Sequence, residues 1–161
     1  MNFEFLGYAT KLLFSKLPGW LIRLYYNSDK ICGSIDIDLR SNSPIDIRFG
    51  TEIPEINLYF HINNRSPFDL TLDRLLIDLW VAQPTLKGVI LRRHFISRGK
   101  SSNDICFSCP LTSQQQNQIK KRCEESLISV PIKISITAYL ESKVGMICCD
   151  RQIERSDVPC K

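Results

Sequence analysis

The sequence predicts a mainly β protein: one antiparallel β-sandwich of about seven to eight strands, an amphipathic helix ahead of it, and one helix before its last two strands. Three observations predict it. From Ser34 onward apolar residues recur at every second position, the signature of strands with one buried face. Turn-forming clusters interrupt that beat about every 8–12 residues. One capped helix falls inside the run, without the regular strand–helix alternation of βαβ units.

The elements follow in order. On a helix, Phe5, Leu6, Ala9, Leu12, Leu13 and Leu17 gather on one face, opposite Glu4, Lys11 and Ser15, which makes an amphipathic segment. Pro18-Gly19 interrupts it, and Trp20 to Tyr26 resumes as a short apolar stretch, a helical turn or a first strand. Lys11, Lys16 and Arg23 break the run before it reaches the roughly 20 uncharged residues that span a bilayer. The segment therefore lies on something: the sandwich edge, a membrane interface or a partner protein. Trp20, Tyr25 and Tyr26 among lysines are the composition an interfacial helix uses.

Ile35, Ile37 and Leu39 alternate with polar residues, and after the turn Ser41 to Pro44 so do Ile45, Ile47 and Phe49, which reads as a hairpin. Ile56, Leu58, Phe60 and Ile62 form the next strand, closed by the polar turn Asn63 to Pro67. In the strand from Phe68 to Val81, Leu70 and Leu72 share one parity, whereas Leu75, Ile77, Leu79 and Val81 share the other. A one-residue slip would turn a whole side-chain set outward, so a β-bulge near Asp73-Arg74 is expected to restore register.

Residues 83–88 read as a turn, Val89 to Ser97 as a strand, the stretch around Gly99 as a turn and Ile105 to Cys109 as a strand. Thr112 and Gln115 form a capping box that starts a helix running to about Ser126, with Ile119, Cys123 and Leu127 as its apolar stripe. Ile132 to Leu140 alternates cleanly. Val144 to Ile153 keeps no strict period. The expected organisation is an N-terminal segment over 1–30, a sandwich over 31–155 and a flexible tail over 156–161.

Composition excludes several classes. With 43% hydrophobic and 24% charged residues, the 161-residue chain is neither disordered, collagenous nor membrane-spanning in character. Its formal charge of +4 suits solubility and a weak attraction to anionic surfaces, and no nucleic acid partner is expected. The charge is unevenly placed: Lys87, Arg92, Arg93, Arg98 and Lys100 follow one another with no acid among them. The stripe reads either as a solvated face or as a contact for an anionic partner such as lipid head groups. Seven cysteines, an odd count, and the lack of a cleavable leader favour a reducing, cytoplasmic setting with most thiols as packing residues.

The stretch Ile56-Asn57-Leu58-Tyr59-Phe60-His61-Ile62-Asn63-Asn64, then Ser66 to Leu75 and Ile77-Asp78-Leu79-Trp80-Val81, resembles the second class of late embryogenesis abundant proteins. Those carry the water-stress and hypersensitive-response domain. Ile96 to Ser102 is similar to that family's Gly-containing turn, and the later helix and strand come in the same order. The resemblance spans roughly residues 34 to 155. It departs where the family has Asn followed directly by Pro, since here Pro67 comes three positions after Asn64. The resemblance implies an immunoglobulin- or fibronectin-like sandwich and a non-enzymatic, stress-protective or binding role, often beside a membrane.

No residue set stands out as an active site. His61 and His94 lack a nucleophile or acid at a recognisable spacing, and His61 falls on the polar parity of its strand. Cys106 and Cys109 have zinc-knuckle spacing, yet period two sets them on opposite faces of a strand, and no second pair matches. Asp36, Asp38 and Asp46 are expected to be offset by Arg40 and Arg48. The expected protein is thus not an enzyme and uses no cofactor or metal. It is a binding or protective module whose contacts with an anionic membrane or a partner are Phe5, Leu12, Leu13, Trp20, Arg92 and Arg93. The alternative is a structural subunit whose N-terminal helix docks a partner protein.

Overall fold

The computed structural model describes residues 26–50, 52–81, 85–126 and 129–159, together with Pro18. The amphipathic segment before Tyr26 lies outside the described residues, apart from Pro18.

A six-residue helix, α1 (Ser28–Gly33), stands at the start of the described chain, in a stretch where the sequence predicts no element. Asn27 caps it by accepting from the Lys30 amide at 3.0 Å, the standard service of a short polar side chain at a helix start. Nine strands follow among the described residues: β1 (Ile35–Leu39), β2 (Ile45–Arg48), β3 (Glu55–Asn64), β4 (Leu70–Val81), β5 (Thr85–Ile90), β6 (His94–Ile96), β7 (Lys100–Pro110), β8 (Ser129–Ser142) and β9 (Gly145–Pro159). A second helix, α2 (Ser113–Ser126), precedes β8.

The strands form two antiparallel sheets. In the first, β3 is central, with β1 and β2 end to end along one edge and β7 along the other. In the second, β4 is central, with β5 and β6 along one edge, then β8 and β9 on the other side. Side chains from both sheets meet in one buried cluster. Ile56, Leu58, Phe60 and Ile62 of β3 and Leu70, Leu72, Leu75 and Leu79 of β4 are fully covered. Each such side chain is worth about 1.5–3 kcal/mol, so the period-two pattern is what selects the sandwich.

The expected bulge is present. Between Leu72 and Arg74 the β4–β8 register shifts, and the buried parity passes from Leu70 and Leu72 to Leu75, Ile77 and Leu79. The capping box is present too: the Gln115 amide donates to Thr112 Oγ1 at 3.3 Å, and the Thr112 amide donates to Gln115 Oε1 at 2.9 Å. In α2, Ile119 is fully buried.

Three expectations need correction. The single strand over Val89 to Ser97 is two strands, because β5 begins already at Thr85 and the chain leaves β4 at Leu91 to Arg93. The gap falls opposite the β4 bulge, where one extra residue has no partner to pair with. The tail is not wholly free, since β9 runs on to Pro159 opposite Ser129 at the start of β8. Nor are the cysteines mainly packing thiols: Cys32 and Cys149 are joined in a disulfide, Cα to Cα 5.5 Å, and Cys123 is also disulfide-bonded.

The two long sides of the sandwich close differently. On one, α1 and β1 meet β9: besides the disulfide, Arg151 Nη2 donates to the Cys32 carbonyl at 2.6 Å and the Ile35 carbonyl at 2.9 Å. On the other, the Phe107 ring of β7 lies directly over Gly88 of β5, where a methyl group would run into Cε2 and Cζ. Phe107 is itself buried. Gly88→Ala is therefore expected to cost about 1–3 kcal/mol of stability through overpacking. Chemical denaturation checks this; an unchanged midpoint would show that the ring moves aside freely.

Candidate functional site

The described member of the candidate surface is the β5–β6 edge of the second sheet. Parity decides which side chains it shows. Leu86 and Ile96 point into the core, so Val89, Leu91 and Phe95 are left outside, 44%, 75% and 63% exposed. In register, Val89 stands beside Leu76 and Phe95 beside Thr71 on the outer face of β4.

The basic residues interleave with these. Lys87 pairs with Asp78 at 3.8 Å and Arg93 with Asp73 at 3.6 Å, the cations largely in solvent and the acids half-buried, and contacts this long with an exposed partner contribute little. Arg92, Arg98 and Lys100 are exposed and have no carboxylate partner among the described residues. The Arg98 amide donates to Asp69 at 2.9 Å, which fixes the turn that presents its guanidinium. The structure thus brings Arg92 and Arg93 onto one exposed edge. Phe5, Leu12, Leu13 and Trp20 lie outside the described residues. Leu91 and Phe95 belong to the surface yet go unnoticed in the sequence, since a strand read as continuous over 89–97 gives them no special place.

Two clefts border this edge. One, of about 60 Å³, opens between the sheets among Leu72, Ile90, Arg92, His94 and Ile105, which is small beside the roughly 300–1,000 Å³ of small-molecule sites. The other, about 390 Å³ and open to solvent, has Asp69, Arg98, Glu141 and Lys143 on its walls. Its charges are mixed, so it selects no one sign of ligand.

The remaining chemistry is structural. His94 Nε2 meets Ser102 Oγ at 2.6 Å across the turn at Gly99, a pair whose eight-residue spacing carries no signal in the sequence. Among the described residues no acid holds the other ring nitrogen, so the triad logic of a nucleophilic serine is incomplete. The contact ties β6 to β7. Cys106 is exposed and Cys109 half-buried, and burial pushes the Cys109 thiol up. No cluster of three metal-ligating side chains occurs among the described residues. Asp46 pairs with Arg48 at 2.7 Å as expected. Arg40 instead covers the Tyr59 ring at 4.4 Å, while Asp36 takes Arg65 at 2.6 Å and Asp38 takes Arg155 at 3.7 Å. Arg40 is occupied because the turn carbonyls of Asn42 and Ser43 accept its donors.

No protein-family model matches the chain, and no curated protein matches it. Solved structures align at low identity. A protein from Archaeoglobus fulgidus aligns with TM-score 0.45 and 10% identity, over 79% of this chain and 98% of that one. A solution structure from Arabidopsis thaliana aligns with TM-score 0.48 and 11% identity, over 78% and 80%. A solution structure of a candidate late embryogenesis abundant (LEA) protein aligns with TM-score 0.49 and 12% identity, over 94% and 87%.

Proposed function

We propose that the protein is a non-enzymatic binding or stress-protective module that works against an anionic membrane surface. In this reading residues 1–26 and the Lys87 to Lys100 stripe make the contact, and water stress is the condition it serves. The observation that carries the reading is the stripe itself: five exposed cations along the chain from β5 to the start of β7, three of them without a carboxylate partner among the described residues. Each cation near an anionic bilayer contributes about 1 kcal/mol.

No helix among the described residues is long and apolar enough to cross a membrane, so the contact proposed is peripheral.

Co-sedimentation with phosphatidylserine-containing vesicles tests the reading. Arg92→Gln with Arg93→Gln is expected to weaken binding of the full chain about thirtyfold at low salt, and added salt should weaken the parent as well. A chain lacking residues 1–25 keeps Tyr26, whose ring meets Phe68 edge-on at 5.3 Å, and reports the share of the N-terminal segment. Binding indifferent to vesicle charge would remove the anionic surface from the account.

A further inference from the structure

We propose that Leu91 and Phe95, with Val89 beside them, are an apolar wedge that inserts into an anionic bilayer, making the β5–β6 corner a membrane anchor independent of the N-terminal segment. The inference rests on the membrane reading above and deepens it. Single exposed apolar residues are ordinary. Here three of the five large hydrophobic side chains that stand exposed among the described residues fall within seven positions of one edge, and two of them are more than 60% exposed.

The surroundings say what covers them. Lys87, Arg92 and Arg93 belong to the same edge and the chain runs on through Arg98 to Lys100 at the start of β7, so the wedge is flanked along the chain by five cations against the two neighbouring carboxylates of β4, Asp73 and Asp78. A second copy of this chain would set the same excess of cations against the first, at a cost in repulsion. An added β-strand from a partner needs a long unbroken edge. β5 has six residues, β6 has three, and the chain leaves the sheet between them. Anionic head groups over an acyl interior match both the flanking cations and the exposed apolar residues between them. Lys87 and Arg93, whose own head groups are exposed, can turn from these long contacts to phosphate, and Arg74 remains beside Asp73 at 3.9 Å.

The test uses the full chain and vesicles of phosphatidylcholine with phosphatidylserine. Leu91→Ser with Phe95→Ser leaves every charge in place and, because both side chains are exposed, should melt as the parent does. It is expected to bind these vesicles about tenfold or more weakly. In a Phe95→Trp variant, brominated acyl chains should quench the emission that the new tryptophan adds. If the full chain binds and the serine variant binds equally, the wedge is overturned while the membrane reading stands on residues 1–26. If neither binds, the membrane reading fails and takes the wedge with it. If the substitutions abolish a dimer and leave lipid binding unchanged, the edge is a self-association surface and the wedge is overturned.

Discussion

Replacing Cys32 by serine and Cys149 by alanine is expected to lower the free energy of unfolding by about 5 kcal/mol. The bond joins residues 117 apart in sequence, so it closes most of the described chain into one loop. In the chain-entropy picture such a link acts on the unfolded ensemble, and its effect grows with the logarithm of loop length. For a domain whose total stability is about 5–15 kcal/mol, this is a large share. The folded state is expected to persist, because α1 is also held by buried Ile31 and by Arg151 on the Cys32 and Ile35 carbonyls. Urea denaturation checks the effect: the midpoint should fall and the slope should rise, since the unlinked unfolded chain exposes more surface. A variant within about 1 kcal/mol of the parent would show that the link constrains little that the rest of the fold does not already constrain.

The same corner explains what the sequence showed and what it hid. Strands whose inward positions are all apolar are legible: Ile56 to Ile62 and Ile132 to Leu140 read as strands at once and are buried as read. The bulge at Asp73 was legible because hydrophobic parity switches there, and parity is a local property. β9 was not. Its inward row is Ile147, Cys149, Arg151 and Ile153, and the cysteine and arginine there serve the clasp to α1. A tertiary bond had taken two positions that a periodicity argument expects to be aliphatic. The basic half of the candidate surface was likewise visible, because Lys87 to Lys100 holds no acid. Its apolar half was not, since whether Leu91 and Phe95 face outward depends on where the edge breaks, and the break answers a bulge on the neighbouring strand.

Asn64 is where the second large effect is expected, and it lies at the end of β3, where the chain turns toward β4. The side chain is fully buried. Its Nδ2 donates to the Phe68 carbonyl at 2.8 Å and the Ile96 carbonyl at 3.2 Å, while Oδ1 accepts from the Ser66 amide at 3.0 Å and hydroxyl at 2.6 Å. The backbone carbonyl of Asn64 takes the Gly99 amide at 2.7 Å. One residue thus braces the crossover from β3 to β4 and reaches β6 in the opposite sheet, next to the turn that carries Arg98. Asn64→Ala leaves several buried polar groups without partners and opens a small void, so about 3–5 kcal/mol should be lost. Asn64→Asp separates the causes. An ionised carboxylate still accepts from Ser66 but faces two carbonyls with no donor, so its folded-state pKa must lie above its unfolded value. That variant should be weakest at neutral pH and regain stability as pH falls through the raised pKa, because the protonated acid restores one donor. Ser66→Ala removes one hydroxyl from the cluster and is expected to cost about 1–2 kcal/mol. Denaturation across pH reads all three, and amide exchange at Gly99 and Ser66 should quicken most in Asn64→Ala. If Asn64→Asp instead tracked the parent at every pH, the two donor bonds would not be holding the crossover, and the placement of Arg98 on the basic edge would have to come from the Asp69 contact alone.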